Sequence, residues 1–396
     1  MDSHDYADNY HRYDCIAAAG VYKFFSEDID ALSKLTNFCN EHTNEWIFGH
    51  LGYDLKNEIE SLQSTHSNNI EFPDIYFFIP EIVLCLNDQT LTIYSIKISP
   101  AEIFNEISTQ SLNSNKLSSQ KNINLTTVLT ENEYIEIVSK LQQHILRGDC
   151  YEINYCQEFF AKNVDIDPLS TYSKLLTISP TPFSCFYKLA NKYLLCASPE
   201  RFLSKINEQI FSQPIKGTAA RSKNVNADEL EKINLYNNEK EKSENVMIVD
   251  IVRNDLSKIC KPDTVKVEEL FGIYSFAQVH QMISTVSGIL KKNISFADIV
   301  KATFPMGSMT GAPKRRAMQV IEQYEKTKRQ LFSGSVGYIS PENNFDFNVV
   351  IRSIFYNADN RYLNFLVGSA ITYYADPAKE YQECLLKARA MREALQ

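Results

Sequence analysis

Glycine is scarce in this chain. There are 12 glycines in 396 residues, about 3% where soluble proteins average ~7%. Each glycine therefore tends to mark a place where backbone shape demands one. The nine cysteines are an odd number, scattered, and include no C-x-x-C pair. That pattern fits reduced cytosolic thiols better than a disulfide scaffold or a structural zinc site. No apolar run reaches the roughly 18 residues of a membrane span. "IYFFIPEIVLCLN" is interrupted by Pro80 and Glu81, and the opening "MDSHDYADNYHRYD" is polar and acidic, with no apolar signal region. Positive charge is in deficit, with 40 Lys and Arg against 49 Asp and Glu and a net charge of −9. A phosphate-backbone partner needs the opposite balance. The expectation is a cytoplasmic protein with neither a nucleic acid nor a membrane as its partner. A small anion held by a few local cations stays open.

The remaining composition is that of a globular protein with a sizeable core, 44% hydrophobic and 22% charged. No internal repeat is visible. Residues 108–127, "STQSLNSNKLSSQKNINLTT", are rich in Ser, Asn and Lys and read as a surface loop or linker. Residues 1–107 form an N-terminal lobe with strand-like runs, and residues 128–396 form the main region. Thr130 and Glu133 make a capping-box pattern. Tyr134, Ile137, Val138, Leu141 and Ile145 then follow helical spacing, up to Gly148. "YEINYCQEFF" alternates like a strand. "KYLLCASPERFLSKI", "GSVGYIS", "FNVVIRSIFY" and "YLNFLVGSAITYY" also read as strands. Long helices fit Asp228 to Lys258, Pro313 to Lys326 and Pro377 to Leu395. Strands in runs with helices interspersed predict an α+β fold with large antiparallel sheets and flanking helices.

Several clusters carry chemistry. Asp376 and Pro377 open the last helix, where Glu380, Glu383 and Lys387 share one face. Two carboxylates one turn apart suit Mg²⁺; the ordinary alternative is a solvated face with a Glu383–Lys387 pair. In "EKEKSENVMIVDIVRNDL", Glu241 and Glu244 repeat the spacing, and Ile248 and Ile251 continue the row of Glu244. A carboxylate in line with an apolar stripe needs a partner. "FPMGSMTGAPKRRAM" turns through glycines into a helix start, which suits an anion, yet it is no Walker A motif. Glu200 in "CASPER" follows an apolar strand, where a carboxyl can become a general acid. His280 stands in apolar surroundings and reads on its own as a satisfied core residue. Lys216 in "QPIKGTAAR" lies beside Gly217 at a strand end, as a loop charge or a reactive amine.

Taken together, "SPERF", "PIKGT", "KSENVMIVDIVRNDL", "VHQMISTV", "FPMGSMTGAPKRRAM", "SGSVGYIS", "IRSIF" and "EYQECLLKARA" resemble the chorismate-utilising enzymes. The resemblance runs from about Glu131 to the C-terminus. It implies a large α+β sandwich acting on chorismate, a cyclohexadiene dicarboxylate, with Mg²⁺. The lysine of "PIKGT" resembles the aminodeoxychorismate synthase component I branch. The anthranilate, isochorismate and salicylate branches usually carry alanine there. The resemblance implies that Lys216 attacks ring carbon 2 as the ring-4 hydroxyl leaves with Glu200 as acid. Ammonia then enters at carbon 4 and expels the lysine, on the route to 4-aminobenzoate and folate. A neutral amine is needed, and desolvation beside a divalent cation would lower its pKa.

By the same resemblance Glu244, Glu380 and Glu383 hold Mg²⁺. Arg352, Tyr338 and Lys387 grip the substrate carboxylates, and His280 and Ser308 line the ring. Gly217, Thr218 and Gly368 offer backbone contacts. Two departures stand out. Glu152 sits where water-adding relatives have lysine and aminodeoxychorismate synthases commonly have glutamine. Ala370 replaces a usual glycine. The tryptophan-feedback "LLES" stretch is not seen. "GDCYE" lacks the last glycine of a glutaminase elbow, so ammonia is expected from a separate glutamine amidotransferase subunit. The alternatives are anthranilate synthase component I and a catalytically inactive binding or regulatory homologue.

Overall fold

The computed structural model describes residues 1–4, 6, 12–110 and 123–396. Most of the 108–127 stretch lies outside the described residues. Ser108 and Thr109 close the helix Pro100–Thr109, and Thr126–Thr127 pair with Phe159 and Phe160. Among the described residues, two large antiparallel sheets, of seven and ten strands, carry the fold, with a three-stranded sheet beside them. Helices flank the sheets, so the class is α+β. Strands Ile47–Leu51 and Ile75–Ile79 extend the ten-stranded sheet beyond Ser335–Ile339. Among the described residues, no helix is long and apolar enough to cross a membrane.

One apolar cluster joins the two sheets, with Cys156, Leu194 and Leu366 from one and Phe77, Leu203 and Phe347 from the other. A second cluster packs the outer face of the seven-stranded sheet against four helices, Glu131–Leu146, Pro168–Ile178, Lys314–Tyr324 and Pro377–Ala394. Burying both faces explains why Glu152–Lys162 does not behave as the half-exposed strand its alternation suggests. It is buried from Glu152 through Phe159 and therefore carries polar side chains into the interior.

Two runs that read as single strands are each two strands. Lys192–Ser198 belongs to the seven-stranded sheet and Arg201–Ile206 to the ten-stranded one. Phe345–Asn348 and Ser353–Asn357 cross between the same sheets in the opposite direction. The crossings lie side by side, Cys196 opposite Ser353 and Arg201 opposite Asn348. Pro199 lacks the N–H that would continue a ladder, and Arg352 has φ +52°. Strands that switch sheets make the corners of such a sandwich. The Val349 N–H donates to the Glu200 carbonyl at 2.9 Å, and the Ala197 N–H to that of Arg352 at 3.2 Å. Glu200 and Arg352 thus stand on one corner.

The run from Asp228 to Lys258 is likewise two helices, Val225–Asn237 and Glu239–Ile259. Asn238 separates them, and its side-chain oxygen accepts from the Lys240 and Glu241 N–H groups. The second helix therefore begins where its carboxylates are needed. The caps at Thr130 and Asp376 form as their sequences predict. Pro313 precedes the helix Lys314–Tyr324 as its cap residue and does not enter its first turn.

Gly311 joins the short strand Gly311–Ala312 to Glu152–Lys162, with φ +139°. A Cβ there would lie 2.1 Å from the Glu152 carbonyl oxygen. Gly311→Ala should therefore destabilise the fold by about 2 kcal/mol or more. Urea unfolding checks this. A midpoint equal to the parent's would show that the backbone can move aside.

Candidate active site

A cleft opens beside the sheet corner. Arg352 enters it from one crossing and Glu200 from the other. Burial depresses the Arg352 guanidinium to about 10, and Glu383 opposes that only in part. Glu383 is itself paired with Lys387, 2.6 Å away. Such a guanidinium suits an incoming carboxylate.

Lys216 reaches the cleft from the strand Ile215–Ala220. Its ladder to Val279–Ile289 breaks register between Ile215 and Thr218. The irregularity centres on Gly217 at φ +97°, a conformation that L side chains rarely adopt. That bulge re-aims the lysine inward. Its Nζ lies 2.5 Å from Glu152 Oε1, and both side chains are buried. Burial pulls the ammonium down, but Glu152, Glu244 and Glu200 outweigh it and hold the group above its ordinary value. In the absence of a cation, the carboxylates around Lys216 exceed the effect of desolvation. The other Glu152 oxygen is buried without a hydrogen-bond partner among the described residues.

Burial raises the Glu200 carboxyl to about 7, with Ser308 and then Lys216 pulling back. The Ser308 hydroxyl donates to Glu200 Oε1 at 2.6 Å. A carboxyl at that value is half protonated near neutrality and can donate a proton.

The cleft rim is carboxylate-rich. Glu241 and Glu244 come from the start of Glu239–Ile259, and Glu380 and Glu383 from the start of Pro377–Ala394. Burial pushes Glu244 up to about 7, against the pull of Lys216. It also raises Glu241 and, with repulsion from Glu383, Glu380. Lys387 holds Glu383 low. Lys240 spans the gap, 3.6 Å from Glu244 and 3.3 Å from Glu380. As arranged, no three His, Cys, Asp or Glu side chains among the described residues form a metal-holding group. The donor chemistry nonetheless fits a hard divalent cation. It is all oxygen, burial raises three of its carboxylates, and Glu244 Oε1, 3.6 Å from Lys240 Nζ, has no hydrogen-bond partner among the described residues.

Of the expected residues, Gly217, Thr218, Ser308, Gly368, Lys387 and the carboxylates all line the cleft with Lys216, Glu200 and Arg352. Two do not. His280 is capped on both ring nitrogens, by Ser275 at 2.9 Å and Asp228 at 3.0 Å, while its strand neighbour Gln281 faces the cleft. One step along a strand turns a side chain to the other face. Tyr338 packs on Trp46, Tyr13 and Phe48 in a separate aromatic cluster and does not line the cleft. Glu241 was missed although its spacing from Glu244 was visible. The partner of Glu152 was not legible at all, since nothing in the order of residues pairs position 152 with 216. Ala370 does line the cleft.

Residues 8–393 match the family model described as chorismate binding enzyme. Aminodeoxychorismate synthase component 1 of Escherichia coli (strain K12) is 33% identical over 354 residues, covering 88% of this chain and 76% of that protein. The chloroplastic aminodeoxychorismate synthase of Arabidopsis thaliana is 35% identical over 369 residues, covering 88% of this chain. This chain spans only 40% of the length of that plant protein. Anthranilate synthase component I from Streptococcus pneumoniae TIGR4 is similar in structure, with TM-score 0.84, 25% identity, and coverage of 96% of this chain and 92% of that one.

The raised Glu244 has a consequence for stability. Its folded-state value of about 7 exceeds the ordinary 4.5. The contribution is intact below the ordinary value and lost as pH rises through about 7, because the unfolded state ionises first. Without divalent cations, Glu244→Gln should match the parent at pH ~4.5 and exceed its stability by roughly 1–3 kcal/mol at pH ~8. Urea titrations in a chelator check this. A variant less stable at the higher pH would show that Lys240 and Lys216 fully satisfy Glu244.

Proposed function

The chain belongs to the chorismate-binding enzyme family, and on that footing we propose that it converts chorismate and ammonia to 4-amino-4-deoxychorismate. Lys216 carries the reading. It is a buried lysine in contact with a buried carboxylate, at a place where the alanine-bearing branches have no nucleophile. The names of the Escherichia coli and Arabidopsis thaliana relatives support it.

In this mechanism Arg352 and Lys387 hold the two substrate carboxylates. Glu244, Glu380 and Glu383, joined by Glu241, would hold Mg²⁺ once Lys240 swings away. The ion supplies positive charge for the ring carboxylate. Lys216 passes a proton to Glu152 along a contact already in place, and its free amine forms a bond to ring carbon 2. The ring double bond shifts and the carbon 4–oxygen bond breaks. Glu200 gives its proton to the departing hydroxyl, which leaves as water. Ammonia then bonds to carbon 4, the double bond returns, and the carbon 2–lysine bond breaks. The released amine recovers its proton. A separate glutamine amidotransferase subunit supplies the ammonia.

Anthranilate synthesis is the second reading, favoured by the structural likeness to the Streptococcus pneumoniae protein. Incubation with chorismate, Mg²⁺ and ammonium, followed by mass-resolved chromatography, separates the readings. The expected product is 4-amino-4-deoxychorismate, lost in EDTA. Glutamine should replace ammonium only when an amidotransferase is added. Anthranilate as product would select the second reading. No turnover of chorismate would leave a binding or regulatory homologue.

A further inference from the structure

We infer that Arg329 and Glu325 are positioning residues that hold Ser308 on Glu200 from beneath the cleft. This rests on the reading of Glu200 as the acid, and its test separates the two.

Glu325 follows the helix Lys314–Tyr324, and Arg329 lies four residues beyond. Both are buried, 4% and 3% exposed. The guanidinium uses its whole fork. Nη1 donates to the Met309 carbonyl at 2.6 Å and to the Ser333 hydroxyl at 3.3 Å. Nη2 donates to the Asn154 carbonyl at 2.7 Å and to Glu325 Oε1 at 2.6 Å, and Nε donates to Glu325 Oε2 at 2.9 Å. Glu325 Oε1 also accepts the Cys156 N–H at 2.9 Å. The guanidinium lies over the Tyr53 ring, 4.6 Å from its centre.

One ion pair therefore ties two segments of the site together. Met309 immediately follows Ser308, whose hydroxyl bonds Glu200. Asn154 is two residues from Glu152, which bonds Lys216. A buried ion pair loses much of its Coulomb gain to desolvation, and a packed apolar pair often holds a fold as well. A planar fork that reaches two carbonyls on different segments is what an apolar pair cannot reproduce. Lysine, a point charge, cannot reproduce it either.

The Ser308 hydroxyl is the largest influence drawing Glu200 down. The charges that act on Glu200 are Lys216 from its strand and Lys387 from the C-terminal helix, with the Ile215 backbone adding a hydrogen bond. Arg352 and the rim carboxylates stand across the cleft. A slackened Ser308 would leave burial less opposed, and Glu200 would hold its proton to higher pH.

The test is a pH-difference infrared titration of the Glu200 carboxyl, assigned by its absence in Glu200→Gln. The variant is Arg329→Met with Glu325→Gln, which strands no buried charge. The Glu200 midpoint should rise, in the same sense and by a similar amount as in Ser308→Ala. Adding Ser308→Ala to the double variant should give no further rise. Arg329→Lys, which keeps the charge, should rise too, and it carries the test if the double variant does not fold. A wild-type midpoint in a folded double variant would overturn the inference. So would additive shifts, or an Arg329→Lys protein that titrates as wild type. Turnover reports on the acid separately. If the infrared midpoint moves while the alkaline limb of kcat stays fixed, the brace stands and Glu200 is not the acid.

Discussion

The site depends on a lysine ammonium buried against Glu152. A lone ammonium at that depth would shed its proton, and a lone carboxylate would keep one. Beside Glu152, with Glu244 and Glu200 near, Lys216 is held above its ordinary value. Such pairs are poor stabilisers, because desolvation offsets most of their attraction. The pair is better suited to moving a proton over a short fixed distance. The bulge at Gly217 and the close approach of Gly311 to the Glu152 carbonyl bring the partners together. Glycine, rare in the chain, stands on both sides of that contact.

The surrounding charges follow from where the sheets bend. Glu200 and Arg352 sit on crossings that leave one sheet for the other, so their side chains project into the cleft beyond the end of the ladder. The rim carboxylates come from two helix starts, each capped by an Asn or Asp. Burial there, with repulsion among neighbouring carboxylates a lesser cause, raises Glu241, Glu244 and Glu380. An acidic chain can therefore carry a locally cation-seeking rim beside an anion-seeking floor.

Much of this was legible in the residue order. The α+β class followed from runs of strands with helices between them. The helix caps followed from Thr130, Glu133 and Asp376, whose chemistry is local. The parts that failed depend on distant contacts. "KYLLCASPERFLSKI" and "FNVVIRSIFY" are apolar throughout, and hydrophobicity alone does not show that a strand changes sheets midway. His280 and Tyr338 lie one strand step or one cluster away from the cleft, a distinction decided by what packs on each face. The carboxylate at position 152 could not be placed beside Lys216 from residue order, so its part in holding the metal-free lysine high was not legible. Arg329 and Glu325 were four apart in plain sight, yet their carbonyl partners are set by tertiary structure.

The proposed lysine chemistry is the centre of the account, and trapping tests it most directly. The chain is incubated with chorismate and Mg²⁺ without ammonia, quenched, and weighed intact, with the modified peptide then mapped. The account predicts a mass gain of chorismate minus water on Lys216, absent in Lys216→Ala. An unmodified protein, with a Lys216→Ala variant making the same product at the parent rate, would contradict it.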